Sequence, residues 1–456
     1  MDNGQDRKRC LDRLLWAVGK LGGKTDLSQL TKISELIIQT MTGRWRSFHT
    51  PDHIFEVGDG GDAIEVIAAL FHDLVYVQVD QGVSVNISRY IAPFVKEVDE
   101  QLMILEASEL QDDYIFTLVA LIFGFVPGQS MQPTSGQNEF LSALICLKTL
   151  EKLLTFGQLV EIAACIEATI PFRPKSSSGL TVSDILYNRL EEANHKFELG
   201  WTRENIIQSV KRSVRLANRD VQNFSSPNSA HFLNNTWNLL PETNHDLKNT
   251  NSYTVHGYRK SMQKMEGFIS FLRPELVFRQ YQGDPDDRTY AEMLERTSTN
   301  LEVAKLYLGT KLTSIAVLEA LSFRIGRDIP LSTMMGELPS EDISVAGLEQ
   351  FLPCVAIPSP LNNSVEKEVL ELLEKGRTLD SEYDVRNSPV ATFMVKSSGF
   401  DEIRYLLQMA RQFFEREIDS EVFLASCNSK VIGLITEAVL KLFEARKEAM
   451  SRGYSF

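Results

Sequence analysis

The sequence predicts an all-α protein, and three observations carry that prediction. Apolar residues recur at three- and four-residue spacing through most of the 456 residues, which is the period of an amphipathic helix. The periodic segments are separated by breaks rich in Gly, Pro, Ser or Asn. No convincing run of alternating apolar and polar residues marks a strand, and no internal repeat is visible.

Taken in order, residues 11–41 read as two amphipathic helices around the turn Leu21-Gly22-Gly23-Lys24, with Asp26 or Ser28 as N-cap of the second. Residues 43–53 carry the first histidines. The next helix, 62–76, has Ile64, Ile67, Ala68, Phe71 and Val75 on one face. Helical periodicity returns at 86–106, 113–126 and 138–154, with loops at Pro127-Gly128 and 133–136. A further apolar helix, 156–170, is stopped by Pro171-Phe172-Arg173-Pro174. A Ser-rich loop leads to helices at 181–197 and 203–223. Residues 225–250, rich in Asn, Ser and Pro, read as an ordered excursion without a helix. A helix over 255–272 ends at Arg273-Pro274. The polar run 282–287 is the expected boundary between domains 1–285 and 286–456. Beyond it, 290–325, 364–376, 400–417 and 428–449 have helical spacing, separated by the loop 353–364 and a non-helical patch, 378–398.

Composition narrows the function classes. Hydrophobic content of 43% and 24% charged residues describe an ordinary globular chain. A net charge of −14 argues against an extended nucleic-acid or anionic-membrane surface. An anionic substrate therefore needs a local positive site, which a metal could supply. The five cysteines form no CxxC pair and read as reduced thiols of a cytoplasmic protein. Met1–Arg13 is too polar for a signal peptide, and the apolar run Ile115–Val126 is too short to span a bilayer.

Three of the seven histidines, His49, His53 and His72, fall within 24 residues, and Asp73 follows at once. Imidazole and carboxylate together suit a divalent metal of intermediate softness. A helical turn would put His49 and His53 on one face, while the helix 62–76 would carry His72 and Asp73 at its C-terminal end. In the helix 203–223, Asp220 borders an apolar face of Ile206, Ile207, Val210, Val214, Ala217 and Val221. A carboxylate placed beside a core needs a partner. The metal is one such partner; a salt bridge to Arg215 or Arg219 is the other.

Arg46-x-Phe48-His49-x-x-x-His53, then Ala69-x-Phe71-His72-Asp73-x-x-Tyr76, then Asn218-Arg219-Asp220-Val221-x-Asn223, resembles the HD superfamily of metal-dependent phosphohydrolases. The match covers about residues 30–275. It is similar to bacterial predicted phosphohydrolases and more distantly to cyclic-nucleotide phosphodiesterases. The resemblance implies an HD-domain helical bundle followed by a second helical domain. His53, His72, Asp73 and Asp220 would hold one of one or two divalent ions (Mg, Mn, Fe or Zn), with Asp73 bridging to a second. His49 would protonate the leaving alkoxide. The substrate would be a phosphorylated small molecule, a nucleotide among the candidates. Residues placed near it are Arg46, Tyr76, Asn223, Gln263 and Phe268, while a surface position for Arg46 and a core position for Phe268 stay open.

Two departures stand out. Tyr76 occupies a position that is histidine in the phosphodiesterases. Met265 stands where they have a base-reading glutamine, just before Gly267-Phe268-Ile269-Ser270-Phe271-Leu272; Gln263 is nearby. Glu167, Thr169 and Arg173, at the end of a buried helix, are further pocket candidates. His195 lies on a charged face, and His231, His245 and His256 in or near the loop after Asp220. Two rival readings remain. Di-iron HD oxygenases need two more histidines between Asp73 and Asp220, where this chain has only His195. A non-catalytic module would keep the metal for structure or nucleotide sensing. The C-terminal helices would serve as a lid, a homo-oligomer surface or a partner-binding surface.

Overall fold

The computed structural model describes residues 3–249, 251–338, 346–355 and 358–451. Among them, twenty α-helices, four short 3-10 turns and one two-stranded hairpin make up the regular structure, so the chain is all-α. The chain divides into two compact units, Met1–Gln222 with Arg273–Glu295, and Asn223–Leu272 with Arg296–Phe456. The expected single boundary at 285/286 is corrected accordingly. Residues 223–272 cluster with the C-terminal helices, and a polar run in the sequence cannot reveal that the chain leaves one unit and returns.

The first unit opens with α1 (Asn3–Lys20) and α2 (Leu27–Met41), the latter capped by the Asp26 side chain, which accepts from the Gln29 amide. Next come α3 (Pro51–Gly58), α4 (Ala63–Phe71), and the short α5 (Val77–Asp80) and α6 (Val85–Ile91). The helix expected over 86–106 stops at Ile91. Beyond it, β1 (Val95–Val98) and β2 (Gln101–Ile104) pair antiparallel, with Val95 opposite Ile104 and Val98 opposite Gln101. Asp99 and Glu100 both take positive φ between them, the geometry a two-residue hairpin loop demands. Then follow α7 (Tyr114–Phe123), α8 (Gln137–Leu150), α9 (Phe156–Ala168), α10 (Val182–Lys196) and α11 (Arg203–Asp220).

At the centre of this unit is α9, against which α4, α8 and α11 all pack. Its residues Leu159, Val160, Ile162, Ala163, Ala164, Cys165 and Ile166 are buried on every side, so it presents no polar stripe to water. The face of α11 carrying Ile206, Val210, Val214 and Ala217 is buried as its spacing requires.

In the second unit the segment read as a helix-free excursion contains the helix Ser229–Thr243, capped by Asn228 and holding Pro241 in its last turn. Phe232, Leu233, Trp237 and Leu240 are buried on one face; the Asn-rich composition belongs to the other. The patch 378–398 is likewise helical from Pro389 onward. One helix, Pro389–Phe414, runs through a kink at Gly399, where φ of 80° favours a residue without Cβ. Asp384 anchors a buried polar core there, accepting from Trp237 Nε1 and Tyr258 Oη and pairing with Lys311 at 2.8 Å. Among the described residues no helix is long and apolar enough to cross a membrane.

Candidate metal centre

The geometry of the centre follows from how three segments end. Asp62 and Glu65 form a capping box at the start of α4, which fixes the helix register. His72 is the C-cap of α4 and Asp73 lies just past it, not within the helix as its periodicity implied. The His72 Nδ1–H donates to the Ala69 carbonyl at 2.8 Å. A carbonyl can only accept, so neutral His72 must carry its proton on Nδ1 and turn the Nε2 lone pair outward. His53 lies in the first turn of α3, which begins at Pro51. His49 therefore precedes the helix, correcting the expectation of a shared helical face, although its ring lies 5.7 Å from that of His53.

The fourth residue, Asp220, is the last of α11. That helix is pinned by a stripe of arginines. Arg212 donates to Asp62 and Glu161, Arg215 to Glu65 and Asp284, and Arg219 to the Val57 carbonyl. Neither Arg215 nor Arg219 is thereby spent on Asp220, whose carboxylate faces the histidines.

One ligand atom each from His53, His72, Asp73 and Asp220 lies within 4.8 Å of the other three. Asp73 Oδ2 is 2.8 Å from His72 Nε2 and 3.2 Å from His53 Nε2; Asp220 Oδ1 is 3.2 Å from both. His53 Nε2 is buried and has no hydrogen bond of acceptable angle, although two carboxylates stand at bonding distance. A ring nitrogen aimed between two oxygens, rather than at either, fits a common central cation. This donor set suits a divalent ion of the Zn, Mn or Fe type, and Mg less well because it favours all-oxygen shells.

Electrostatics point the same way. Burial pushes His53 toward its neutral form, but the Asp220 and Asp73 carboxylates outweigh this and raise it to about 9. His72 is likewise raised well above its ordinary value against the same burial. Burial would raise both aspartates. His72 and His53 instead hold Asp220 down to about 2, and the His72 and His49 charges keep Asp73 well below the carboxylate range. Without a metal the cluster therefore gathers protons. Because the folded His53 value lies above the unfolded one of 6.5, its stabilisation is complete below pH 6.5 and lost as pH rises through about 9. Metal-free protein is expected to lose on the order of 1–3 kcal/mol across that window. A saturating divalent ion should abolish the decline. Melting temperatures between pH 6 and 9.5, with and without the ion, test this; a flat metal-free profile would refute it.

Arg46 is corrected from a phosphate-pairing residue to a buried clamp. Its guanidinium donates from Nε and Nη2 to Asp80, from Nη1 to the Asp73 carbonyl and Met41 sulfur, and from Nη2 to the Leu74 carbonyl. All five N–H groups are used, and the side chain is fully enclosed. It fixes the backbone that presents Asp73. Arg46→Met is expected to cost about 3–5 kcal/mol by stranding Asp80, measurable by urea unfolding. A loss under about 1 kcal/mol would mean that the pair is effectively a surface one.

Tyr76 packs edge-on to His49, with ring centroids 4.6 Å apart, and so lies beside the centre. Asn223, Gln263 and Phe268 belong to the second unit. Gln263 Oε1 accepts from Arg259 at 2.8 Å, while Phe268 is half-buried beside buried Met265 and Ile269. His231, His245 and His256 also lie in that unit, with His256 bonded to Glu319 at 2.7 Å. His195 is exposed.

Glu167 and Arg173 pair with each other at 2.6 Å, Arg189 joins them, and Thr169 donates to the Ile166 carbonyl. These residues lock the end of α9. Arg279, which sequence reasoning did not single out, caps the same end by donating to the Ala168 and Ile170 carbonyls. Asn218 holds the Arg279 backbone through two hydrogen bonds. Glu139 was not singled out either. Burial together with the Asp73 and Asp220 charges, opposed by its own backbone amide and Arg173, pushes its carboxyl up to about 7.

A surface groove of about 750 Å³ lies elsewhere, between the Arg9, Arg13 and Trp16 face of α1 and the loop Gly58–Gly61. It contains none of the four clustered residues and offers no comparable convergence of donors, so it does not displace the cluster as the candidate site. Comparison of the chain with family models, with curated proteins and with solved structures returned no match. The class defined by fold and site is thus an all-α chain with a two-histidine, two-aspartate centre.

Proposed function

We propose that the chain is a metal-dependent phosphohydrolase of the HD type, acting on a phosphate ester. The observation that carries this reading is the convergence of His53, His72, Asp73 and Asp220 on one point, in the residue types and order of the HD motif. His53 and His72 would supply imidazole nitrogens, and Asp73 and Asp220 carboxylate oxygens, to one divalent ion. When bound, such an ion supplies Lewis acidity toward phosphoryl oxygens and lowers the pKa of water.

The remaining chemistry belongs to side chains. Arg46 and the Ala69 carbonyl hold Asp73 and His72 in place. His49 lies beside the cluster, half-buried and stacked edge-on with Tyr76, and acts as the proton donor to the departing alkoxide. An ion that takes five or six ligands would keep one or two positions for a substrate oxygen beside these four donors. The exposed position of His195 gives no support to a di-iron oxygenase. Metal analysis combined with a panel of phosphomonoesters, phosphodiesters and nucleotides tests the reading. A chain that holds its ion but turns over no phosphate ester would leave it a non-catalytic metal protein.

A further inference from the structure

Glu139 stands in the first turn of α8, and its neighbours tie that turn to the segment following Asp73. Ser142 Oγ accepts from the Val75 amide at 2.9 Å, and Asn138 Oδ1 from the Val77 amide at 3.1 Å. Around the helix, residue 139 lies about 60° from 142 and about 100° from 138, so its side chain leaves on that same side. On the other flank, Gly136 packs so closely on Ile170 that a Cβ would clash. Glu139 is thereby held between the Asp73 segment and the end of α9.

The Oε2 atom of Glu139 is buried and has no hydrogen-bond partner among the described residues. The charges acting on the carboxyl include Asp73, Asp220 and Arg173, and Arg173 is already paired with Glu167. A buried carboxyl oxygen without a partner is costly, and here the turn that carries it is bonded to the segment following Asp73.

We propose that Glu139 is a substrate-contacting residue of the centre, its free oxygen sharing a proton with a phosphoryl oxygen held beside Asp73 and Asp220. The inference rests on the phosphate-ester reading given above. A carboxylate and a phosphoryl oxygen are both acceptors, so contact between them requires one proton, supplied by solvent or by the P–OH that inorganic phosphate itself carries near neutral pH. No bond to phosphorus forms or breaks in this step. An ion in the neighbouring centre offsets the two aspartates, leaving burial as the lasting reason for the carboxyl to accept that proton.

The experiment is calorimetric titration of inorganic phosphate into the full chain loaded with Mn²⁺, at pH 7.5, in buffers of differing ionisation enthalpy. The number of protons exchanged per phosphate bound is expected to differ between wild type and Glu139→Gln by about half a proton or more. The phosphate affinity of the variant should depend less on pH between 6 and 8. Glu139→Gln removes a half-buried charge without changing shape, so its melting temperature and Mn²⁺ content should match or exceed those of wild type. Equal proton linkage together with equal pH dependence of phosphate affinity in the two proteins overturns the proposal, as does failure of wild type to bind phosphate at millimolar concentration. Linked phosphate binding without turnover of any ester would sink the hydrolase reading and leave Glu139 standing. Ester hydrolysis without the linkage would do the reverse.

Discussion

Asp220→Ala is expected to empty the centre of its divalent ion and to abolish the metal-dependent turnover proposed for it. Asp220 Oδ1 is 3.2 Å from both His53 and His72, so this one oxygen touches two of the three other donors. Loss of an outer partner alone commonly lowers metal affinity roughly 10- to 100-fold; removing a direct donor should exceed about 100-fold. The helix need not suffer. Asp220 is the last residue of α11, and the arginine stripe that pins the helix makes its bonds elsewhere. The measurement is ion content per chain after dialysis, with circular dichroism to verify the fold. A variant that keeps one tightly bound ion would show that Asp220 is not a ligand.

His49→Ala should separate chemistry from binding. The ring lies 5.7 Å from His53 and 4.6 Å from Tyr76, outside the four-residue donor set. Ion content should therefore remain at the wild-type level while turnover falls about 100- to 10,000-fold, the range for losing a positioned proton donor. The loss should be smaller for an aryl phosphate, whose phenolate departs without help, than for an alkyl ester. A uniform loss on both substrates would point to a packing role for the ring, and loss of the ion would make His49 a ligand.

Much of the centre was legible because its chemistry is written in residue types. A His-poor chain that gathers three histidines and an adjacent aspartate announces a site wherever the backbone goes, and Asp220 was conspicuous as a carboxylate beside an apolar helical stripe. Other residues could not be placed from local pattern, for a shared reason. Arg46 falls in the same motif as His49, yet whether an arginine faces a ligand or an internal carboxylate depends on Asp80, 34 residues away. Gln263 and Phe268 lie within a stretch that local pattern joined to the first domain and that packing assigns to the second unit.

By itself, then, the sequence determined the helical class, because a 3.6-residue apolar period can bury its stripe only as a helix. It also singled out the four residues that cluster, because imidazole and carboxylate keep their chemistry in any fold. Tertiary structure alone decided where elements end and what meets across them. The hairpin at 95–104 depends on two residues adopting positive φ. The helix 229–243 depends on a buried face formed by Phe232, Leu233, Trp237 and Leu240. Glu139 drew notice only because folding buries one of its carboxyl oxygens without a partner. Burial and Coulomb interactions act through space, and a one-dimensional pattern records neither.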